Sequence, residues 1–151
     1  MFIDPQAIPE TSGTGYPDPF KSVVSGRYKK RLGKIAGLRN FGVNLVRLEP
    51  GSASSVRHWH SKQDEFIYVI EGEITLVTDA GEQVLTSGNA AGFPAGEANG
   101  HHFINRSDRD AIYLEIGDRT PEDNVTYPDN DLQAIMVENS WKFTHKSGEP
   151  Y

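Results

Sequence analysis

From Phe41 onward, side chains alternate along the chain with a period of two. Phe41, Val43 and Leu45 fall on one face and Gly42, Asn44 and Val46 on the other, until Glu49-Pro50-Gly51 turns the chain. Residues 65–70 read as a second strand, with Glu65, Ile67 and Val69 on one face and Phe66, Tyr68 and Ile70 on the other. Both faces are largely apolar, as expected when one lines an interior and the other meets a second sheet or subunit. Glu71-Gly72 and Asp79-Ala80-Gly81 are turn signals flanking a strand over 74–78. Val84-Leu85 precedes a turn at Ser87-Gly88-Asn89, and Phe93-Pro94 leads into a glycine-rich loop. Extension resumes over 101–105 and again over 111–116. Further on, Pro121-Glu122-Asp123-Asn124 is loop-like, Thr126-Tyr127-Pro128-Asp129 is a turn, and 132–137 and 141–144 read as short strands. Short strands at regular spacing with tight turns predict an all-β barrel or jelly roll.

Composition agrees with this pattern. A chain of 151 residues with 36% hydrophobic residues, 15 glycines and 9 prolines suits one strand-and-turn domain rather than a helical bundle. The expected organisation is an extended N-terminal arm over 1–25, a barrel over 26–120 and a C-terminal tail over 121–151. Phe2, Ile3, Ile8, Tyr16 and Phe20 make the arm too apolar for a solvated tail, so it is expected to pack on its own barrel or on a partner's. The tail is open to the same two arrangements. With the apolar face of Phe66, Tyr68 and Ile70, the adhesive arm predicts a homodimer.

Charge and cysteine usage exclude several functions. The formal net charge of -6 argues against general affinity for nucleic acid or anionic membranes. No basic, apolar leader opens the chain and no apolar run is long enough to span a bilayer, so a cytoplasmic protein is expected. The run Arg27-Tyr28-Lys29-Lys30-Arg31 is a local exception, either an edge strand protected by charge or an anion-steering rim near a pocket. With no cysteine there are no disulfides, thiolate ligands or zinc-finger sites. Any metal must be held by nitrogen and oxygen.

The residues for such a site are present. Side chains two apart on a strand share a face, so His58 and His60 can converge on one point. Glu65 has the opposite parity, but the polar break Ser61-Lys62-Gln63-Asp64 can restart the register and open the next strand with an inward carboxylate. A folded sheet can bring His101 beside them, and three imidazoles with one carboxylate suit a divalent transition metal. Zinc, manganese, iron and nickel are all admissible. Trp59 and Arg57 take the face opposite the histidines and read as outer packing, and Asn105 reads as a structural residue closing a turn.

The spacing of these residues resembles a known family. Gly51, six residues, His58-x-His60, four residues, Glu65, six residues and Gly72 form a pattern similar to the first motif of the cupin superfamily. Gly88, five residues, Pro94-x-Gly96, four residues, His101, three residues and Asn105 resemble the second. The first gap is one residue longer than usual and the gap from Gly96 to the histidine two longer, so His101 and His102 are alternatives for the fourth ligand. Spacing to Asn105 favours His101. Fifteen residues between Gly72 and Gly88 imply a compact, single-barrel cupin, a double-stranded β-helix, with the resemblance covering about residues 41–117.

Small cupins of this kind are often grouped with sugar-phosphate isomerases. The resemblance thus implies a metal-dependent enzyme of isomerase or epimerase type acting on a small oxygenated metabolite: a sugar, sugar phosphate or carboxylic acid. A metal held on one side keeps positions free to polarise a carbonyl or hold oxygen or water. The base is unidentified; His102 and Glu97, in and beside the inserted loop, are the local candidates. The alternatives are a non-catalytic small-molecule-binding module, oxygen-dependent chemistry as in a non-haem iron dioxygenase, and a decarboxylase. An enzyme should place a titratable group near the open metal positions, whereas a binder needs only apolar walls.

Overall fold

The computed structural model describes residues 1–138 and 140–151. Two short 3₁₀ turns, Pro5–Ala7 and Phe20–Val24, interrupt the N-terminal arm. Twelve strands follow: β1 Arg27–Lys30, β2 Phe41–Leu48, β3 Trp59–His60, β4 Glu65–Glu71, β5 Glu73–Thr78, β6 Gly81–Thr86, β7 Ala90–Phe93, β8 His102–Ile104, β9 Ala111–Asp118, β10 Asn124–Thr126, β11 Gln133–Val137 and β12 Ser140–Thr144. A single helical turn, α1 Leu32–Ile35, joins β1 to β2.

The strands form three antiparallel sheets, ordered β1-β2-β9-β4-β7, β6-β5-β8 and β12-β11-β10-β3. The alternation read in the sequence is what builds the core. Val46 and Leu48 of β2, Ile67 and Val69 of β4, and Ala111 and Tyr113 of β9 point inward, where they meet Ile74 of β5, Leu85 of β6 and Phe103 of β8. Their opposite-parity neighbours stay outside, and Phe66 and Tyr68 are each 43% exposed.

The turn after β4 requires glycine. Gly72 has φ +76°, and a Cβ there would lie 2.7 Å from the Asp110 carbonyl oxygen. On the second motif, buried Asn105 donates from Nδ2 to the Leu48 and Arg109 carbonyls at 2.8 and 2.7 Å and accepts from the Ser107 amide and hydroxyl. It therefore closes the 105–109 turn, the structural role its place in the sequence indicates.

Both arms pack on the same chain. Residues 121–151 supply β10, β11 and β12, and β10 pairs with β3 so that Val125 lies opposite His60. Tyr16 and Val24 of the arm join Val56, Val125, Tyr127, Leu132 and Ala134 in a second apolar cluster, bordered by Phe20, Trp141 and Phe143. Three details differ from the periodicity. The stretch Ala90–Phe93 is a strand, Asn124 and Thr126 belong to a strand rather than to loop and turn, and regular pairing before His60 is limited to β3 and an isolated bridge at His58. In the first two cases tertiary pairing extended a polar or glycine-containing segment that intrinsic propensity disfavours.

Candidate metal centre

The polar break at 61–64 acts as the sequence suggested. It lets the chain leave β3 and re-enter β4 with Glu65 facing the interior, so a carboxylate of opposite parity meets the two histidines. Glu65 Oε2 lies 3.5 Å from His58 Nε2, 3.6 Å from His60 Nε2 and 2.9 Å from His101 Nε2. Atoms of His58, His60 and Glu65 able to bind a metal all fall within 4.8 Å of one another. The His58 ring centre is 5.0 Å from those of both His60 and His101.

The loop inserted before His101 bulges without disturbing this register. Gly96 N–H donates to the His60 carbonyl at 2.8 Å, and His58 and His101 exchange backbone bonds at 3.1 and 2.8 Å. That bridge directs His101 at Glu65, where its ring stacks on Phe93 with centroids 3.6 Å apart. His102, the alternative, donates from Nδ1 to the Ser55 carbonyl at 3.0 Å.

The groups behind the imidazoles determine which nitrogen is bare. His58 Nδ1–H donates to the Val56 carbonyl at 2.9 Å, and His60 Nδ1–H donates to Asp123 Oδ2 at 2.5 Å. In the neutral rings both Nε2 lone pairs therefore face Glu65, the tautomer a metal ligand needs. Asp123, at 0% side-chain exposure, also accepts from Ser61 Oγ at 3.0 Å and the Lys62 amide at 2.7 Å. The donor set fits a divalent transition ion: the imidazoles of His58 and His60 held from behind by oxygen acceptors, one carboxylate, and His101, whose buried Nδ1 has no hydrogen-bond partner among the described residues.

Without an ion, the same groups act on one another as charges. Burial would raise the Glu65 carboxyl, but hydrogen bonds from His101 and His58 and the charges of His58 and His60 together hold it well below the ordinary carboxylate range. For Asp123, burial is likewise outweighed, by the His60 bond and charge and by the Lys62 amide, so its value is also lowered. Burial works against protonated His60, yet Asp123 and Glu65 prevail and raise it. His101 is lowered, because burial exceeds the support from Glu65.

The four groups open into a cavity of about 500 Å³. Its walls include Arg27, Lys29, Ser55, Gln63, Glu115, Tyr127, Trp141 and Phe143. The basic run is thus an edge strand, β1, and also a cavity wall, because Arg27 and Lys29 share its inward parity. Lys29 Nζ donates to both oxygens of Glu115, at 2.7 and 2.9 Å, and Asn44 Nδ2 donates to the same carboxylate at 2.9 Å. A smaller cavity of about 280 Å³ touches the other side of His60, Glu65 and His101. Trp59 and exposed Glu97 line that one, whereas His102 lines neither. Arg57 is held by Asp79 and Asp129, in keeping with a packing role.

Sequence reasoning missed two parts of the site. Asp123 lies 63 positions from His60 in a segment read as loop, and no spacing signals it. Glu115 does have a signal in the sequence: in 111–116 it shares parity with Ala111 and Tyr113, which marks a carboxylate pointing inward.

Comparison with known proteins follows the same lines. The Cupin domain family profile matches residues 44–117. A solved protein from Silicibacter pomeroyi, named a sugar phosphate isomerase of the cupin superfamily, is 44% identical over 100% of this chain and 96% of its own, with a TM-score of 0.96. One from Acidithiobacillus ferrooxidans, provisionally named a sugar phosphate isomerase, is 30% identical over 83% of this chain and 80% of its own, with a TM-score of 0.75. A polyketide cyclase from Streptomyces resistomycificus, 20% identical over 78% of each chain with a TM-score of 0.62, shares the fold. No curated protein matches. Barrel, motif spacing and full-length similarity together place the chain in the cupin superfamily.

Proposed function

We propose that this cupin is a metal-dependent enzyme that isomerises a small oxygenated metabolite, and that His58, His60, Glu65 and His101 hold its divalent ion. The observation that carries the reading is the convergence of three Nε2 atoms on Glu65 within 2.9–3.6 Å, at the wall of a cavity sized for a small metabolite. A divalent ion there supplies a Lewis acid for a carbonyl or a pair of adjacent oxygens.

The chain's own residues support catalysis over simple capture. Tyr127, Trp141 and Phe143 give the cavity an aromatic wall, while Lys29 and Glu115 provide titratable groups on the same cavity. Burial lowers Lys29 from the ordinary lysine value more than the Glu115 charge restores it. Of the two bases the sequence offers, Glu97 faces only the smaller cavity and His102 neither, so the group on the main cavity wall is the Lys29–Glu115 pair. The names carried by the proteins from S. pomeroyi and A. ferrooxidans point to the same reaction class.

The test is an aldose–ketose interconversion assay over a panel of free and phosphorylated sugars, with protein reconstituted separately with zinc, manganese, iron and nickel. Turnover of at least one pair by the wild type, abolished in Glu65→Gln, is the expected result. Tight binding of panel members without turnover under every metal would replace the enzyme reading with the binding-module one.

A further inference from the structure

The cavity contains a cation that the metal centre does not use. In β1, Arg27 pairs with Leu48 and Lys29 with Val46, both core positions, so these two side chains turn inward. Tyr28 and Lys30 turn outward: the Tyr28 ring lies 4.2 Å from the Arg47 guanidinium carbon, and Lys30 Nζ donates to the Pro5 carbonyl at 2.9 Å. Of the two inward cations, Lys29 is neutralised by Glu115. Arg27 is not.

The other two half-buried arginines show what a satisfied guanidinium looks like in this fold. Arg47 contacts Glu10, Glu49 and Asp110, and Arg57 contacts Asp79 and Asp129. Arg27 Nη1 donates to the Ser54 carbonyl at 2.5 Å, and among the described residues no carboxylate lies within 4.0 Å of it. Most of its five N–H donors are left for another acceptor. Holding a partly desolvated charge without a counterion costs free energy, and the planar fork matches two oxygens of a carboxylate or phosphate.

Position and charge balance point the same way. Ser54 is followed by Ser55, whose hydroxyl lies 3.3 Å from His58 Nδ1, so Arg27 braces the loop that carries the first histidine. Both residues line the same cavity. Among the charged groups lining it, Arg27 and Lys29 offset Glu65 and Glu115, so a divalent ion leaves the cavity positive. That favours an anionic occupant.

We propose that Arg27 is the anion-binding residue of this cavity, holding the carboxylate or phosphate of a small ligand whose other oxygens face the histidine centre. The proposal rests on the functional reading above and gives it a substrate class: acidic rather than neutral metabolites.

Isothermal titration of the full-length protein with inorganic phosphate and with acetate, before and after metal is stripped, tests this. Wild type is compared with Arg27→Gln, Arg27→Lys and the outward control Lys30→Gln, with metal content measured throughout. The expected result is that Arg27→Gln weakens at least one anion about tenfold or more, Arg27→Lys weakens it less, and Lys30→Gln matches wild type. Loss confined to phosphate identifies a phosphate ester, and loss confined to acetate a carboxylic acid. Equal binding by wild type and both Arg27 variants, or no binding of either anion by wild type, overturns the proposal. Metal content is read separately: an Arg27-dependent anion site on a protein that never holds metal would sink the metal-centre reading and leave this one standing.

Discussion

Replacing Asp123 by asparagine separates a ligand-orienting role from simple packing. The carboxylate is fully buried and accepts three hydrogen bonds, from His60 Nδ1 at 2.5 Å, Ser61 Oγ at 3.0 Å and the Lys62 amide at 2.7 Å. Asparagine preserves the shape, and its amide oxygen on the Oδ1 side can still accept from Ser61 and Lys62. The amide NH₂ then faces His60 Nδ1, donor against donor. The imidazole escapes by moving its proton to Nε2, the atom that faces Glu65, and so loses its ligand lone pair. Loss of such an orienting carboxylate typically weakens metal affinity 10- to 100-fold, about 1.4–2.7 kcal/mol. Competition against a chromophoric chelator at fixed pH measures the change. Ser61→Ala removes one bond to the same carboxylate without altering His60, and is expected to shift affinity less than threefold by this logic. Equal affinity in Asp123→Asn and wild type would refute the tautomer argument.

Three other outcomes follow from the packing. Asn105→Ala removes a fully buried side chain and leaves the Leu48 and Arg109 carbonyls without their donor, and is expected to cost about 2–4 kcal/mol in urea unfolding; a loss under 1 kcal/mol would contradict the bonding described. Burial opposes ionisation of Glu115, but Lys29 and Asn44 outweigh it and lower its value, and Asp123 is lowered as well. Their stabilisation is therefore present above the ordinary carboxylate range and lost as pH falls through the lowered folded values. The melting temperature should drop as pH falls below about 4, and the deficit of Glu115→Gln relative to wild type should shrink over the same interval; a gap independent of pH would contradict the ion pair. The outer face of Phe66, Tyr68 and Ile70, each about two-fifths exposed, carries the homodimer expectation, and light scattering at the monomer mass would overturn it.

How far the sequence reveals this protein depends on the range of each interaction. Period-two alternation located β2, β4, β5 and β9 because each has one face in the core, and the same parity separates buried Ile67 from exposed Phe66. His58, His60 and Glu65 were legible because their approach is local: two share a face and a short polar break reorients the third. Its distance to Asn105 favoured His101 over His102, and the His58–His101 bridge shows how the inserted loop is absorbed. The acceptor behind His60 was not legible, since Asp123 arrives through the pairing of β10 with β3 across more than 60 residues. The cavity wall illustrates the same limit. The basic run around Arg27 could be read as an edge or an anion-steering rim, and the pairing of β1 with β2 makes it an edge strand whose Arg27 and Lys29 line the cavity.

The central claim, that three histidines and Glu65 hold a divalent ion, is tested most directly by elemental analysis of full-length protein purified without a nickel column. The account predicts close to one transition-metal ion per chain in the wild type and a marked loss in Glu65→Gln of unchanged circular dichroism. A folded wild-type protein that takes up no zinc, manganese, iron or nickel, or a Glu65→Gln variant that retains full occupancy, would contradict it.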